Sequence, residues 1–179
     1  MRKITAYLAI SLDGKIAKPD GDVSWLDEIP NPENSDFGYK AFYSSIDTTI
    51  MGNETYRMVL GFGVDFPYSD KQNFVITRDH RLTQDENVTF ISGNVEKWAG
   101  KLKGEKGKDI WLIGGGQMNT LFLNAGLLDE LHVHVMPLVL GDGIPLFSDK
   151  TVHRKMDLQS ERRFQGGVVE LIYKLKNNE

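Results

Sequence analysis

Apolar residues return along this chain in two rhythms, and their alternation predicts the architecture. Residues 4–12, 48–51, 73–77, 88–92 and 110–113 are short runs of apolar and β-branched side chains. Runs of that length read as strands, and 110–113, continuous and without polar alternation, as a strand buried on both faces in mid-sheet. Between the runs, apolar positions recur at helical spacing. Phe37, Ala41 and Phe42 mark a helix from Asp36 to about Ser45, with Ser35 as its N-cap. A second helix opens near Glu54-Thr55-Tyr56, and a short third covers residues 95–102. A fourth carries Met118, Leu121, Phe122 and Ala125, with Gly126 placed to end it in a left-handed conformation.

The last third of the chain changes character. Residues 127–136 alternate strictly, Leu131, Val133 and Val135 facing one way and His132 and His134 the other. Residues 137–147 form a glycine- and proline-marked loop, and residues 158–163 and 168–175 read as a hairpin closing through Gly166-Gly167. Together these elements predict an α/β fold: a mixed sheet, mainly parallel in its middle, with helices on both faces and an antiparallel C-terminal edge. The strand over 127–136 is expected at an edge. No internal repeat or domain boundary is visible, so residues 1–179 are expected to form a single domain.

Composition narrows the function. A net charge of -4 argues against a nucleic acid or an anionic membrane as the main partner. The chain has no cysteine, which excludes disulfides, thiolate zinc sites and a thiol nucleophile. The apolar part of residues 1–11 is too short to span a bilayer and lacks a cleavage pattern, so a cytoplasmic location is expected.

Three polar loops leave the ends of predicted parallel strands: Gly52-Asn53-Glu54-Thr55, Thr77-Arg78, and Gly114-Gly115-Gly116-Gln117-Met118. Ligands of open α/β sheets bind outside the carboxyl ends of such strands. The third loop is a strand–glycine–helix unit whose free N–H groups and helix dipole favour a phosphate, although a tight turn that needs room explains the glycines equally well. It is neither G-x-G-x-x-G nor a P-loop. Arg78 offers a planar fork for a phosphate ester, or is a surface arginine. Asp36 either complements the dipole of its helix or binds the N–H groups of a heterocycle and helps deliver a proton. Asp13 divides in the same way between turn chemistry and acid. His132 and His134 share a face but lack a third ligand, so that face reads as solvated or as an interface, and no metal is expected.

Several segments in order then resemble a known group of enzymes: Ile10-Ser-Leu-Asp-Gly-Lys-Ile-Ala17, Trp25, Met51-Gly-Asn-Glu-Thr-Tyr56, Val75-Ile-Thr-Arg78, Ile113-Gly-Gly-Gly-Gln117, and Leu128-Asp-Glu-Leu131 with Pro137-Leu-Val-Leu-Gly-Asp-Gly143. Over nearly its whole length the chain resembles the dihydrofolate-reductase-like superfamily, and within it the reductase domain of riboflavin biosynthesis. The resemblance implies a three-layer α/β/α fold, NADPH as cofactor, and hydride transfer to a small heterocyclic substrate of pyrimidine or pteridine type. It implies cofactor contacts from Ala9, Ile16, Gly52, Asn53, Thr55, Thr77, Arg78, Ile113, Gly114, Gly115, Gly116, Gln117 and Met118, with Arg78 near the 2′-phosphate. It places Trp25 beside the nicotinamide pocket and substrate, makes Asp36 and Asp13 the candidate catalytic acids, and implies a homodimer. It also implies a cis peptide between Gly114 and Gly115.

Two places depart from the family's pattern. Asn53 stands where arginine is usual, which removes one phosphate contact and leaves NADPH against NADH open. Residues 26–35 carry no basic side chain to hold a ribose phosphate, so the substrate is open too. The deaminase half that accompanies the reductase in bifunctional enzymes is absent, since the chain has no H-x-E…P-C-x-x-C signature. Dihydrofolate-reductase-like activity and a nucleotide-binding module without turnover are the alternatives. A hydrolase using a metal on His132 and His134 is a third.

Overall fold

Side chains of the central strands are apolar on both faces, and the fold covers both. In the computed structural model, which describes residues 1–176, β1 (Ile4–Ile10), β3 (Ile46–Gly52), β4 (Gln72–Ile76), β5 (Thr89–Ile91), β6 (Asp109–Gly114) and β7 (Glu130–Val135) run parallel. With β10 (Val169–Leu175) and β9 (Met156–Arg163) they form one sheet, in the order β5-β4-β3-β6-β1-β7-β10-β9. Strands β10 and β7 pair antiparallel, as do β10 and β9. Short strands β2 (Lys15–Ala17) and β8 (Ile144–Pro145) pair separately.

One face of the sheet is closed by α3 (Val95–Gly104) and α4 (Gly116–Asn124). Ala99, Leu102, Phe122 and Leu123 pack there on Ile4, Ala6, Ile50, Ile110, Leu112, Leu131 and Val133. The other face is closed by α1 (Tyr39–Ser45) and α2 (Asn53–Leu60). Phe42 of α1 packs on Ile46 and Trp111, and Tyr56 and Val59 of α2 on Met51 and Val75. This is the expected three-layer mixed sheet with an antiparallel edge. The helix over 116–124 ends before Gly126 at φ +67, as its sequence predicts.

Four expectations are corrected. The helix expected from Asp36 begins at Tyr39, because Phe37 (φ 51) and Gly38 (φ 87) take left-handed conformations that no helix accommodates. Its first amides are met by the Asp36 carboxylate, while the Ser35 hydroxyl accepts only the Phe37 N–H. The strand expected at an edge, β7, lies between β1 and β10, since the C-terminal hairpin covers its free side. The edge is instead β9, exposed along nearly its whole length. His132 and His134 accordingly lie under α1 rather than facing solvent, and His134 is buried. Finally, all peptide bonds among the described residues are trans. At Gly114 the turn is made by a φ of +107, which glycine adopts without a side-chain clash.

Candidate functional site

The sheet opens between two of its central strands. Strands β1 and β6 pair at Ile4–Ile110, Thr5–Trp111 and Ala6–Leu112, and there the pairing stops. Beyond it β1 follows β7 as far as Ile10–Val135, while β6 follows β3 as far as Met51–Gly114. The Tyr7 carbonyl, released from the ladder, accepts the Trp111 indole N–H at 3.1 Å. The chain crosses from one side of the sheet to the other around this gap, which makes it the topological switch point where α/β sheets bind ligands.

Two helices start beside the gap, and neither closes its own N-terminus. The residues preceding α2 and α4 are Gly52 and Gly115, and no side chain caps either helix. The other two α-helices are closed. Asn94 accepts the Lys97 N–H at the start of α3, and Asp36 accepts the Gly38 and Lys40 N–H groups at the start of α1. Open N–H groups at a helix start carry partial positive charge and favour an anion. The two open starts are joined, because the Thr55 hydroxyl donates to the Gly114 carbonyl at 3.2 Å. Glycine is required around them. A Cβ on Gly52 would press on Met118 at 3.1 Å, and one on Gly116 would overlap the Pro145 carbonyl of β8. Gly52, Asn53, Thr55, Gly114, Gly115, Gly116, Gln117 and Met118 are therefore one locus. Ile113 precedes it, and Ile16 of β2 belongs to the small sheet whose β8 lies over Gly116.

Thr77 and Arg78 follow β4, one strand further from the gap than β3. Thr77 is buried, and its hydroxyl accepts the Asp79 N–H at 3.1 Å. Asp79 is bound bidentately by Arg81, which holds its carboxyl well below the usual range and occupies its charge. The exposed Arg78 guanidinium has no hydrogen-bond or ion-pair partner among the described residues.

On the other flank, Ala9 and Trp25 share an apolar cluster with Met136 and Val168. Trp25 is 1% exposed, and its indole N–H has no partner among the described residues. Asp36 lies beyond, above the face that carries Tyr7. The Lys40 and Gly38 N–H groups hold the Asp36 carboxyl below its ordinary range. Burial pushes the Tyr7 phenol up, and the Glu170 and Asp36 charges add to the effect.

Asp13 and Asp36 share no hydrogen-bond partner among the described residues. The Asp13 carboxylate accepts the Ser11 hydroxyl at 2.6 Å, the Leu140 N–H at 3.0 Å and the Gly141 N–H at 2.9 Å. These donors, the hydroxyl first, lower its carboxyl to about 2. It ties the turn after β1 to the loop ahead of β8.

Sequence reasoning missed Tyr7, Phe37 and Glu170 and misplaced His134. Alternation along β1 and β7 already puts Tyr7, His132 and His134 on one face. What it lacked was the position of β7 inside the sheet, which turns that face inward. Among the described residues no helix is long and apolar enough to cross a membrane, and no three His, Asp or Glu side chains are grouped to hold a metal ion.

A family model described as the RibD C-terminal domain matches residues 2–169. The uncharacterized protein YwjB of Bacillus subtilis (strain 168) is 42% identical over 172 residues, covering 96% of this chain and 97% of its own length. YyaP of the same organism is 33% identical over 186 residues, covering 96% and 94%. Among solved structures, a putative riboflavin biosynthesis protein from Shewanella sp. PV-4 is 29% identical with a TM-score of 0.87, over 98% of this chain and 99% of that one. The diaminohydroxyphosphoribosylaminopyrimidine deaminase/5-amino-6-(5-phosphoribosylamino)uracil reductase of Thermotoga maritima is 16% identical with a TM-score of 0.71, over 98% of this chain and 57% of that one; this likeness is one of fold alone.

Proposed function

The chain belongs to the RibD C-terminal domain family, and from that premise we propose that it is an NADPH-dependent reductase of a small heterocycle, a pyrimidine or pteridine. The observation that carries the reading is the gap between β1 and β6, flanked by two adjoining helix starts that leave their N–H groups open. One such start suits a single phosphate, and two joined through Thr55 and Gly114 suit the linked phosphates of a dinucleotide. Gly52, Asn53, Thr55 and Gly114 to Met118 would hold that pyrophosphate. Thr77 and the unpartnered Arg78 would take the 2′-phosphate, and Ala9, Ile16, Trp25 and Ile113 would border the ring. When bound, a reduced nicotinamide supplies the hydride.

This chain's own residues do the rest. The apolar Ala9–Trp25 cluster excludes water from one side of the gap. Asp36, held as a carboxylate by two backbone N–H groups, accepts the N–H groups of the heterocycle and orients it. The proton that completes the reduction enters at that same end, through the exposed side of Asp36. Asp13, whose three donors bind the turn after β1 to the loop ahead of β8, acts as the tie of the flanking loop.

A nucleotide-binding module without turnover is the second reading. It is favoured by Asn53 and by the depressed carboxyls of both Asp13 and Asp36. The experiment that separates the two is loss of NADPH absorbance with 7,8-dihydrofolate and, separately, with a phosphoribosylaminopyrimidine as acceptor. Oxidation with either supports the reductase. Saturable NADPH binding without oxidation supports the module, and no binding of NADPH or NADH sinks both. The homodimer implied by the resemblance is part of the proposal, and light scattering on the eluting protein reads its mass.

A further inference from the structure

Two side chains from different strands converge on one main-chain carbonyl beneath α1. The Tyr7 hydroxyl of β1 donates to the Phe37 carbonyl at 3.2 Å, and His134 Nε2 of β7 donates to the same oxygen at 2.9 Å. The carbonyl fixes the imidazole tautomer, since the nitrogen facing it must carry the hydrogen. His134 is 3% exposed. Its ring lies 4.9 Å from that of Tyr7, centroid to centroid. Glu170, paired with His134 across β10 and β7, brings Oε1 to 3.4 Å from His134 Nε2. The same oxygen would lie 3.7 Å from a Cβ on Gly38.

The carbonyl they hold belongs to a strained residue. Phe37 has φ 51, a left-handed conformation that is unfavourable for a non-glycine residue. Phe37 also packs edge-on against Phe164, 5.2 Å between centroids. The turn at Phe37 and Gly38 is what lets the preceding carboxylate fold back onto the Gly38 and Lys40 N–H groups. Without it the helix would begin earlier and the carboxylate would point elsewhere.

We propose that His134, with Tyr7 beside it and Glu170 behind it, is a positioning residue that locks the Phe37–Gly38 turn and so fixes where Asp36 presents its carboxylate to the acceptor. The proposal rests on the reading of Asp36 given above, but its geometric half is tested without any acceptor. The Asp36 side-chain carboxyl is titrated by NMR in the wild type and in His134→Gln, His134→Leu and Tyr7→Phe. In the wild type it titrates below the ordinary aspartate range. Glutamine keeps an N–H donor near the Nε2 position, so His134→Gln retains that low titration. His134→Leu and Tyr7→Phe each remove a donor, and each moves the Asp36 titration up toward the ordinary range, with matching changes at the Gly38 and Lys40 amides. Tyr7→Phe keeps the backbone carbonyl that binds Trp111 and is the safeguard should His134→Leu fail to fold.

With 7,8-dihydrofolate or the phosphoribosylaminopyrimidine as acceptor, whichever is turned over, His134→Leu lowers kcat/KM for it about fivefold, the loss expected of one hydrogen bond. NADPH binding, read by tryptophan quenching, stays unchanged. An Asp36 that titrates as in the wild type in folded His134→Leu and Tyr7→Phe overturns the proposal. An Asp36 that shifts as expected while Asp36→Asn leaves turnover intact upholds the positioning and removes Asp36 from the reaction.

Discussion

Thr55 donates its hydroxyl to the carbonyl of Gly114, and this bond at 3.2 Å joins the first turn of α2 to the turn that leads into α4, two helices that begin 63 residues apart, at Asn53 and Gly116, in separate βα units. The bond fixes the spacing of the two open helix starts. Thr55→Val keeps the shape of the side chain and removes the donor. A neutral hydrogen bond contributes about 1 kcal/mol, so the NADPH dissociation constant is expected to rise about fivefold, with NADH weakened in parallel. Fluorescence titration of Thr55→Val with both nucleotides checks this. Weakening of one nucleotide alone would place Thr55 at a group the two do not share, not at the pyrophosphate.

Arg78 is the test of nucleotide selectivity. It is exposed and has no partner among the described residues, while its neighbour Asp79 is occupied by Arg81. If it reads the 2′-phosphate, Arg78→Ala loses about tenfold in NADPH affinity, the lower range for a charge-assisted bond at an exposed site. NADH affinity stays as it was, and the NADPH preference of the wild type shrinks as salt is raised. Equal loss for both nucleotides would move Arg78 to the shared phosphates.

The glycine locus was legible in the sequence because its signal is local. An apolar run, three glycines and a helical repeat identify β6, the turn and α4 without reference to anything else. Arg78 was legible for the same reason, as the first residue after a strand and its threonine. Asp36 stood out in the sequence as a candidate, but its helix was not placed correctly, because the determinant is distant: Tyr7 and His134 lie 30 and 97 residues from Phe37 in sequence. Alternation in 127–136 correctly separated Leu131 and Val133 from His132 and His134. It could not say which neighbour covers the histidine face, and only the hairpin of β9 and β10 decides that β7 is interior.

Gly116 and Gly126 flank the same helix and should respond differently to alanine. A Cβ at Gly116 overlaps the Pro145 carbonyl, which β8 cannot withdraw without losing its pairing to β2. Overpacking of this kind costs about 1–3 kcal/mol. At Gly126 an added Cβ would meet nothing within 4 Å among the described residues beyond its chain neighbours, and the left-handed backbone opposes alanine, at about 1 kcal/mol. Thermal melts should therefore show the larger loss for Gly116→Ala, and only that variant should also weaken NADPH. Nucleotide binding impaired to the same degree in Gly126→Ala would indicate a general loosening of α4, not a local effect at its start.

Asp13 gives the pH prediction. Its carboxyl is lowered to about 2 by the Ser11 hydroxyl and the Leu140 and Gly141 amides, against about 3.9 for an unfolded aspartate. A folded value below the unfolded one means that the carboxylate stabilises the native state above about pH 4 and that this contribution is lost as pH falls toward 2. Asp13→Asn cannot carry the charge at any pH, so it should be less stable than the wild type at neutral pH. The gap between the two should narrow as the solution is acidified through that window. Urea midpoints for both proteins at pH 6 and pH 3 measure the gap directly. A gap of constant size would mean that Asp13 acts through its shape alone. Turnover at neutral pH should follow the loop that Asp13 tethers: the variant is expected to lose acceptor affinity while kcat changes little. A collapse of kcat with acceptor affinity intact would return Asp13 to the role of acid and displace Asp36 from it.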